Sequence, residues 1–320
     1  MNTFFTVPEQ YKEVELAISL KSGDITIQSS NTTNIEIEMP DLRKGTFEEL
    51  FEMTMYENKL TIKEKKQSGI GGRMFNFGGN NFSSDLIVKL PKSGLAYSGS
   101  LQLYSGDLKM NGIYFEGHVN TYNGDIEIEN VDTKNLKINS YNGDLNLKDF
   151  HGNLAVEQYN GDISAAGCDF TGLKLKSFSG DISLKGKFLL ADDGEISTFS
   201  GDIDLKASEY LTDKKLHIST MSGDLSANEA IPEECIVMKH KLKNGMEFMK
   251  GFKPMMKGIF DSIGNSMTGQ KEKIHTEVIR SAGREEQETK EANIEKILQM
   301  LSEGKISFDE SERLIKLLKV

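Results

Sequence analysis

Tryptophan is absent from this chain of 320 residues, and cysteine and proline are scarce, with two and five copies. The two cysteines, Cys168 and Cys235, form no C-x-x-C pair and are too few for a disulfide framework, so we interpret both as buried or idle thiols. The five histidines show no H-x-H or H-E-x-x-H spacing. The sequence therefore predicts neither a metal site nor a cofactor.

Basic residues are in deficit, because 38 Lys and Arg face 49 Asp and Glu for a formal net charge of −11. Nucleic-acid binding relies on a concentrated basic face, so we expect no nucleic-acid partner. No apolar run reaches the roughly 18 residues that a membrane-spanning helix needs. The amino terminus also lacks the basic start and apolar stretch of a signal peptide. We therefore expect a protein that is cytoplasmic or peripheral at a membrane.

The chain contains a repeated four-residue motif, which consists of an aromatic residue, Ser or Asn, Gly and Asp. It reads YSGD at Tyr104, YNGD at Tyr122, Tyr141 and Tyr159, FSGD at Phe178 and Phe199, and MSGD at Met221. Its glycines recur every 18 to 22 residues. A period near 20 with strand patterning is typical of a β-solenoid, in which each repeat forms one coil.

One unit, Leu136–Gly152, illustrates the coil. Apolar residues and Ser140 occupy even positions before the Asn142-Gly143 pair, and leucines occupy odd positions after it. Alternation predicts strands, and the change of parity predicts a bend at the glycine, which tolerates positive φ. A second turn at residues 149–152 would close the unit, so we expect two or three short strands per coil.

A meander of antiparallel hairpins is the competing interpretation, because Asn-Gly between alternating apolar residues also marks hairpins. Parallel stacking is favoured because it places equivalent residues about 4.8 Å apart and accounts for the repeated side-chain identity. The aromatic column would contain Tyr104, Tyr122, Tyr141, Tyr159, Phe178 and Phe199, and a hydroxyl column would contain Thr121, Ser140, Ser177, Thr198 and Thr220.

An aspartate column is the most prominent candidate site. It would contain Asp107, Asp125, Asp144, Asp162, Asp181, Asp202 and Asp224, beside the four tyrosines of the aromatic column. Stacked carboxylates could hold a cation or a cationic peptide. Alternatively, each Asp accepts backbone N–H bonds at its own turn and has a structural role. The nine-residue calcium repeat with two glycines per turn is not present.

Five segments follow from these patterns: an irregular strand-rich cap with a Gly/Asn loop at 1–84, solenoid repeats at 85–230, a basic Met-rich amphipathic cap at 231–267, a polar linker at 268–291 and a helical hairpin at 292–320. Ser22-Gly23-Asp24 is an outlying copy of the repeated turn, and the loop Gln67–Ser84 carries no phosphate-binding motif. Terminal units of solenoids normally differ from interior ones, which accounts for the irregular start.

The Met-rich cap combines basic and apolar residues at roughly helical spacing. It could cover the open carboxy-terminal coil, lie on an anionic membrane surface, or dock a partner. Its candidate residues are Lys250, Phe252, Lys253, Met255, Met256, Lys257, Ile259, Phe260 and Ile263.

The helical hairpin is marked by Gly304, which would end the first helix, and by a capping box at Ser307 and Glu310. About 30 residues are too few for an independent core, so the hairpin should dock on a second copy or a protein partner. Its apolar stripe contains Ile294, Ile297, Leu298, Leu301, Leu314, Ile315 and Leu318.

The run LIVKLPKSG…LYSGDLKM with the following YNGD and FSGD coils resembles the bacterial "putative adhesin" β-strand-repeat family of the YvlB and LiaX type. The tail EKILQMLSEGKISFDESERLIKLL is similar to the SHOCT-like helical module of that family. The resemblance implies a non-enzymatic β-helical protein, with some relatives connected to cell-envelope stress and membrane-targeting peptides, and by analogy a surface location. It brings no catalytic residues.

The sequence thus predicts an all-β parallel β-solenoid (β-helix) with a carboxy-terminal helical extension. We expect a binding or scaffold protein linked to envelope stress or surface interaction. The alternatives are a cytoplasmic oligomerisation scaffold and a polysaccharide-active β-helix enzyme. The enzyme is disfavoured because glycoside chemistry needs one particular carboxylate pair, whereas the conspicuous acids here belong to a repeated column.

Overall fold

A computed structural model describes residues 2–7, 10–40, 47–65, 85–92 and 94–238. Within them the chain forms 19 strands, one short α-helix and one 3-10 helix. Consecutive coils pair in parallel, so the predicted all-β parallel β-solenoid is confirmed and the hairpin meander is wrong for the repeats. None of the helices in these ranges has the length and apolarity required to cross a bilayer.

The amino-terminal elements include both parallel and antiparallel pairs and precede the regular coils. They are β1 (Asn2–Phe5), β2 (Glu13–Leu20), β3 (Ile25–Ser30), β4 (Ile35–Glu38), α1 (Phe47–Leu50), β5 (Phe51–Tyr56), β6 (Lys59–Glu64) and β7 (Leu86–Pro91). The later elements are β8 (Ala96–Ser105), β9 (Leu108–Asn111), β10 (Phe115–Asn123), β11 (Ile126–Asn142), β12 (Leu145–Asn160), β13 (Ile163–Ser179), β14 (Ile182–Phe188), β15 (Gly194–Ser200), β16 (Ile203–Tyr210), β17 (Leu216–Ser222), β18 (Leu225–Ala227), the 3-10 helix (Glu233–Cys235) and β19 (Ile236–Met238).

Two long walls run along the solenoid. Wall A contains β6, β2, β8 and β10, the later parts of β11, β12 and β13, and then β15, β17 and β19. Wall B contains β7, β3 and β9, the earlier parts of β11, β12 and β13, and then β14, β16 and β18. In the β2–β3 coil and in the coils from β8 onward, a glycine-containing turn, here called the SGD corner, leads from wall A to wall B.

A second corner bends the chain after wall B. Four residues at equivalent positions have positive φ there, with values between 50° and 68°: Gly112, Asn130, Asp149 and Gly167. Asn and Asp tolerate this conformation better than other non-glycine residues. A short third side follows, such as residues 131–133 of β11, before the chain enters wall A of the next coil. Each interior coil therefore has three short straight stretches, as the unit pattern predicts.

The amino-terminal coils do not stack in chain order. Wall-A strand β2 pairs in parallel with β6 on one side and with β8 on the other. Wall-B strand β3 likewise lies between β7 and β9. The outermost coil, β6–β7, is then flanked by antiparallel partners, because β5 pairs with β6 and β4 with β7. These antiparallel strands interrupt the parallel pattern at the amino-terminal end, which limits edge-to-edge addition there.

The interior is a single continuous apolar core. Alternate residues of both walls point inward, for instance Leu136 and Ile138 before the SGD corner and Leu145 and Leu147 after it, all at most 3% exposed. Below the third side, Phe150, Phe170 and Phe188 are fully buried, with neighbouring ring centres 6.5 and 5.5 Å apart. The sequence analysis did not identify this buried phenylalanine column.

Several predictions fall on residues outside the described ranges. They are the Gly/Asn loop at 67–84, the cap residues from 239 to 267, the linker at 268–291 and the helical hairpin at 292–320. The candidate residues of the cap and hairpin are therefore predictions from sequence.

Candidate functional site

The SGD corner stacks glycine on glycine through successive coils. Gly124 has a φ of 140°, and a Cβ added to it would lie 2.0 Å from the carbonyl oxygen of Gly106. Only glycine can occupy such a position, because a side chain would collide with the backbone of the neighbouring coil. The repeated glycine therefore reflects close backbone stacking.

The aspartates next to these glycines form a ladder of hydrogen bonds. The backbone N–H of each Asp donates to Oδ1 of the Asp in the preceding coil at 2.8–2.9 Å. One of the two interpretations of the aspartate column has each carboxylate accept at its own turn, and the structure instead shows acceptance between coils. The ladder thus joins neighbouring coils.

Two further aspartates extend the ladder at its amino-terminal end. Asp107 N–H donates to Asp24, and Asp24 N–H donates to Asp85 at 2.9 Å. The outlying copy Ser22-Gly23-Asp24 therefore stacks directly on the regular repeats. Asp85 has no Gly-Asp phrase in its sequence, so only the three-dimensional stacking identifies it. In the described part of the chain, no group of three or more His, Cys, Asp or Glu is placed to hold a metal ion.

The aromatic column stacks as predicted. Successive rings from Tyr104 to Phe199 have centres 4.8–5.0 Å apart and planes inclined by 2–9°. Exposure falls from 43% at Tyr104 to 3% at Tyr159. Because each ring face is covered by the next ring, the interior of the column offers only ring edges to solvent. Stacking of a sugar on a ring face is therefore blocked within the column.

The polar side chains in the other columns of the corner either hydrogen-bond within their column or are buried. The side-chain amide of Asn142 donates a hydrogen bond to Asn123 Oδ1 at 2.8 Å and accepts one from Asn160 at 2.9 Å. The predicted hydroxyl column is in register but includes Gln158, which is fully buried and donates to the Gly143 carbonyl at 2.9 Å. The sequence analysis did not include Gln158 because it lacks a hydroxyl. These columns contribute to the structure of the corner and present little free hydrogen-bonding surface.

A groove of about 930 Å³ runs along the opposite end of wall A, across the coils from β2 to the segment just before β15. Gly99 and Gly117 form part of its floor. A Cβ on Gly117 would lie 2.0 Å from the Gly99 carbonyl oxygen, so the backbone again requires glycine. The floor is therefore free of side chains at these positions, and the rims are polar.

Acidic side chains lie at both ends of the groove, and Glu13, Glu116 and Asp193 among them accept hydrogen bonds from neighbouring groups. At one end, Ser98 donates to Glu13 at 2.5 Å, and the Tyr114 hydroxyl donates to Glu116. Burial, followed by this bond to Glu116, raises the pKa of Tyr114 to about 12. At the other end, the Lys215 N–H, with His217 as the next contributor, holds the pKa of Asp193 below its ordinary value.

The middle of the groove has basic and amide side chains. Two ion pairs occur there: Lys137 Nζ lies 3.6 Å from Glu157 Oε1, and Lys174 Nζ lies 3.8 Å from Glu195 Oε2. Asn153 donates to Asn135 at 3.0 Å. The groove as a whole therefore combines carboxylates, ammonium groups, amides and hydroxyls.

One column of outward-facing residues along the groove, here called the variable column, does not repeat. Five in-register positions in successive coils carry four residue types: Ser100, His118, Lys137, Ala155 and Lys174. The groove was not predicted from the sequence, because its lining comes from many coils and shares no motif. Only the parallel register brings these residues together.

Comparisons with known proteins give two family matches and a similar solved structure. The family model described as Toastrack DUF4097 matches residues 14–245, and the model described as a SHOCT-like domain matches residues 293–320. A crystal structure titled "putative adhesin" from Bacteroides fragilis is similar at 17% sequence identity, covering 71% of this chain and 93% of that chain with a TM-score of 0.39. No curated protein matches the chain.

Proposed function

The chain belongs to the Toastrack DUF4097 family and carries a SHOCT-like carboxy-terminal domain, and we propose that it is a non-enzymatic binding or scaffold protein connected to bacterial cell-envelope stress or surface interaction. The observation that carries this proposal is the continuous groove along wall A. Repeat proteins bind extended ligands along such surfaces, because successive units present equivalent positions at regular intervals.

The hydrogen bonds that the carboxylates accept within the protein favour binding over catalysis. Every described aspartate of the ladder except the terminal Asp224 accepts a backbone N–H from the next coil. In the groove, Glu13, Glu116 and Asp193 hydrogen-bond to neighbouring side chains or backbone. Glycoside hydrolysis needs two carboxyl groups free to act on one bond, and these arrangements hold the acids in structural contacts.

The proposal includes partners and a location. The SHOCT-like domain would dock a protein partner or a second copy, and the basic segment around residues 250–263 would contact an anionic membrane surface from the cytoplasm. The aspartate ladder, with one carboxylate per coil, would be the face for a cationic peptide. A cytoplasmic oligomerisation scaffold without membrane contact is the alternative.

Deleting the gene in the native bacterium tests the proposed function. We expect the deletion to change survival under a membrane-active cationic peptide, and the full-length gene to restore it. Fractionation and protease treatment of intact cells would locate the protein. Unchanged survival under several envelope-acting agents, together with a protein confined to the soluble fraction, would contradict the envelope role and favour the cytoplasmic scaffold.

A further inference from the structure

The groove differs from the SGD corner in that its outward-facing residues are not fixed by stacking. Columns that hold the solenoid together carry the same residue in coil after coil, because identical side chains satisfy one another across the stack. The variable column lies in the same wall and obeys the same register, yet it changes from Ser100 to His118 to Lys137 to Ala155. Exposed wall-B positions such as Lys109, Glu127 and Asn146 vary in the same way, so what sets the groove apart is its concave surface across several coils.

The groove does not suit an extended peptide. A peptide that adds to a sheet needs an unpaired strand edge, whereas the strands beneath the groove are paired on both sides with neighbouring coils. The groove also crosses the strands, and coils are spaced like the stacked rings, at 4.8–5.0 Å. An extended peptide advances about 3.3 Å per residue, so its side chains would not stay in register with the coils.

The charges of the groove argue against a polyion as well. Glu13, Glu15 and Glu116 lie at one end, Asp192 and Asp193 at the other, and Lys137 and Lys174 between them. Both signs occur along the length, so neither a polyanion nor a polycation would find complementary charge throughout. Amides and hydroxyls, such as those of Asn135, Asn153 and Thr171, hydrogen-bond well to neutral hydroxyl groups.

We infer, on the premise of the proposed binding function, that the groove binds a linear neutral polysaccharide lying along the solenoid axis. In an extended polysaccharide, each pyranose residue advances the chain by about the spacing between two coils, so successive sugars would contact successive coils. Ala155, outward-facing in the middle of the groove, would lie beneath the chain, and Thr171 and Asn135 would bond to sugar hydroxyls at its rim.

Calorimetric titration of the full chain with cellohexaose and chitohexaose tests this inference. Both are extended neutral hexasaccharides, and maltohexaose, which coils, is the ligand control. We expect at least one extended hexasaccharide to bind and maltohexaose to bind more weakly. Ala155→Tyr, which fills the groove, should weaken binding at least about tenfold, or 1.4 kcal/mol. Ala166→Tyr, an equivalent change at an exposed position on wall B, should leave the affinity unchanged.

Thr171→Ala is a milder second variant, because Thr171 is exposed and its hydroxyl can be removed without leaving a cavity. It should weaken binding while the urea midpoint stays constant. No heat with either extended hexasaccharide at millimolar concentration would overturn the ligand class, and so would binding that Ala155→Tyr does not affect. Neither result would alter the survival of a deletion strain, so a failure of the ligand class is distinguishable from a failure of the proposed function.

Discussion

The two ends of wall A obey the same register and yet differ in composition. At the SGD corner, aspartates from Asp85 to Asp224 occupy one column and are linked by hydrogen bonds from coil to coil. At the groove, positions in successive coils carry serine, histidine, lysine and alanine. Repetition accompanies bonds made within the protein, and variation accompanies side chains that face an open surface. The most conspicuous sequence motif therefore identifies what stabilises the fold.

The largest effect that separates the two regions should come from a corner glycine. Gly143→Ala places a Cβ 2.1 Å from the Gly124 carbonyl oxygen at a φ of 125°. We expect a loss of about 3–5 kcal/mol in the free energy of unfolding, because coils must separate to admit the methyl group. Urea denaturation followed by circular dichroism would measure it.

Gly94→Ala is the matched control. Gly94 also has positive φ, at 80°, but no atom lies within 4 Å of its added Cβ. The loss should be only about 1 kcal/mol, from backbone conformation alone. Equal losses for the two variants would show that close stacking is not the reason for the corner glycines.

The next effect concerns the aspartate ladder. Asp144→Ala removes the acceptor of the Asp162 N–H bond at 2.9 Å, and we expect a loss of about 1–2 kcal/mol. Asp144→Asn keeps an oxygen acceptor and should recover most of that stability, measured by the same urea titration. If Asp144→Ala proved neutral, the ladder would have no structural role, and the aspartates would be better explained by a ligand.

An effect of similar size is expected in the aromatic column. Tyr141 stacks on Tyr122 and Tyr159 at 4.9 Å each, so Tyr141→Leu should cost about 1–2 kcal/mol through two lost ring pairs. Tyr141→Phe should be nearly neutral, since Phe178 and Phe199 occupy the same column. A thermal melt of both variants would measure the difference. A large loss in Tyr141→Phe would instead assign the hydroxyl a role of its own.

The smallest effect is expected at the variable column. Lys137→Ala and His118→Ala remove exposed or half-exposed side chains, and Lys137 loses only a surface ion pair with Glu157. We expect changes within about 0.5 kcal/mol in the urea titration. A loss as large as that of Asp144→Ala would contradict the distinction between a structural corner and a free groove.

Much of the solenoid could be predicted from sequence because its interior repeats. Alternation around Asn142-Gly143 predicted which residues are buried, and the repeated phrase predicted the stacked columns. The second corner was harder to predict, because Gly112, Asn130, Asp149 and Gly167 share a backbone conformation but are not all of a single residue type. The sequence analysis placed a turn at residues 149–152, and the structure locates the bend at Asp149.

The amino-terminal stacking and the groove could not be predicted, for a common physical reason. Local patterns identify strands, but they do not say which coil a strand joins when chain order and spatial order differ. Asp85 enters the ladder only because β7 stacks beside β3. The groove likewise depends on side chains from distant coils and on the absence of side chains at Gly99 and Gly117.

The position of β2 and β3 between two later coils has a consequence for synthesis on the ribosome. These strands emerge before the strands that flank them, which are β6 and β7 on one side and β8 and β9 on the other. Both edges of the β2–β3 coil can therefore be paired only after Asn111, the end of β9, has left the exit tunnel. From then on the nascent chain can add coils one at a time, each closing on a finished template.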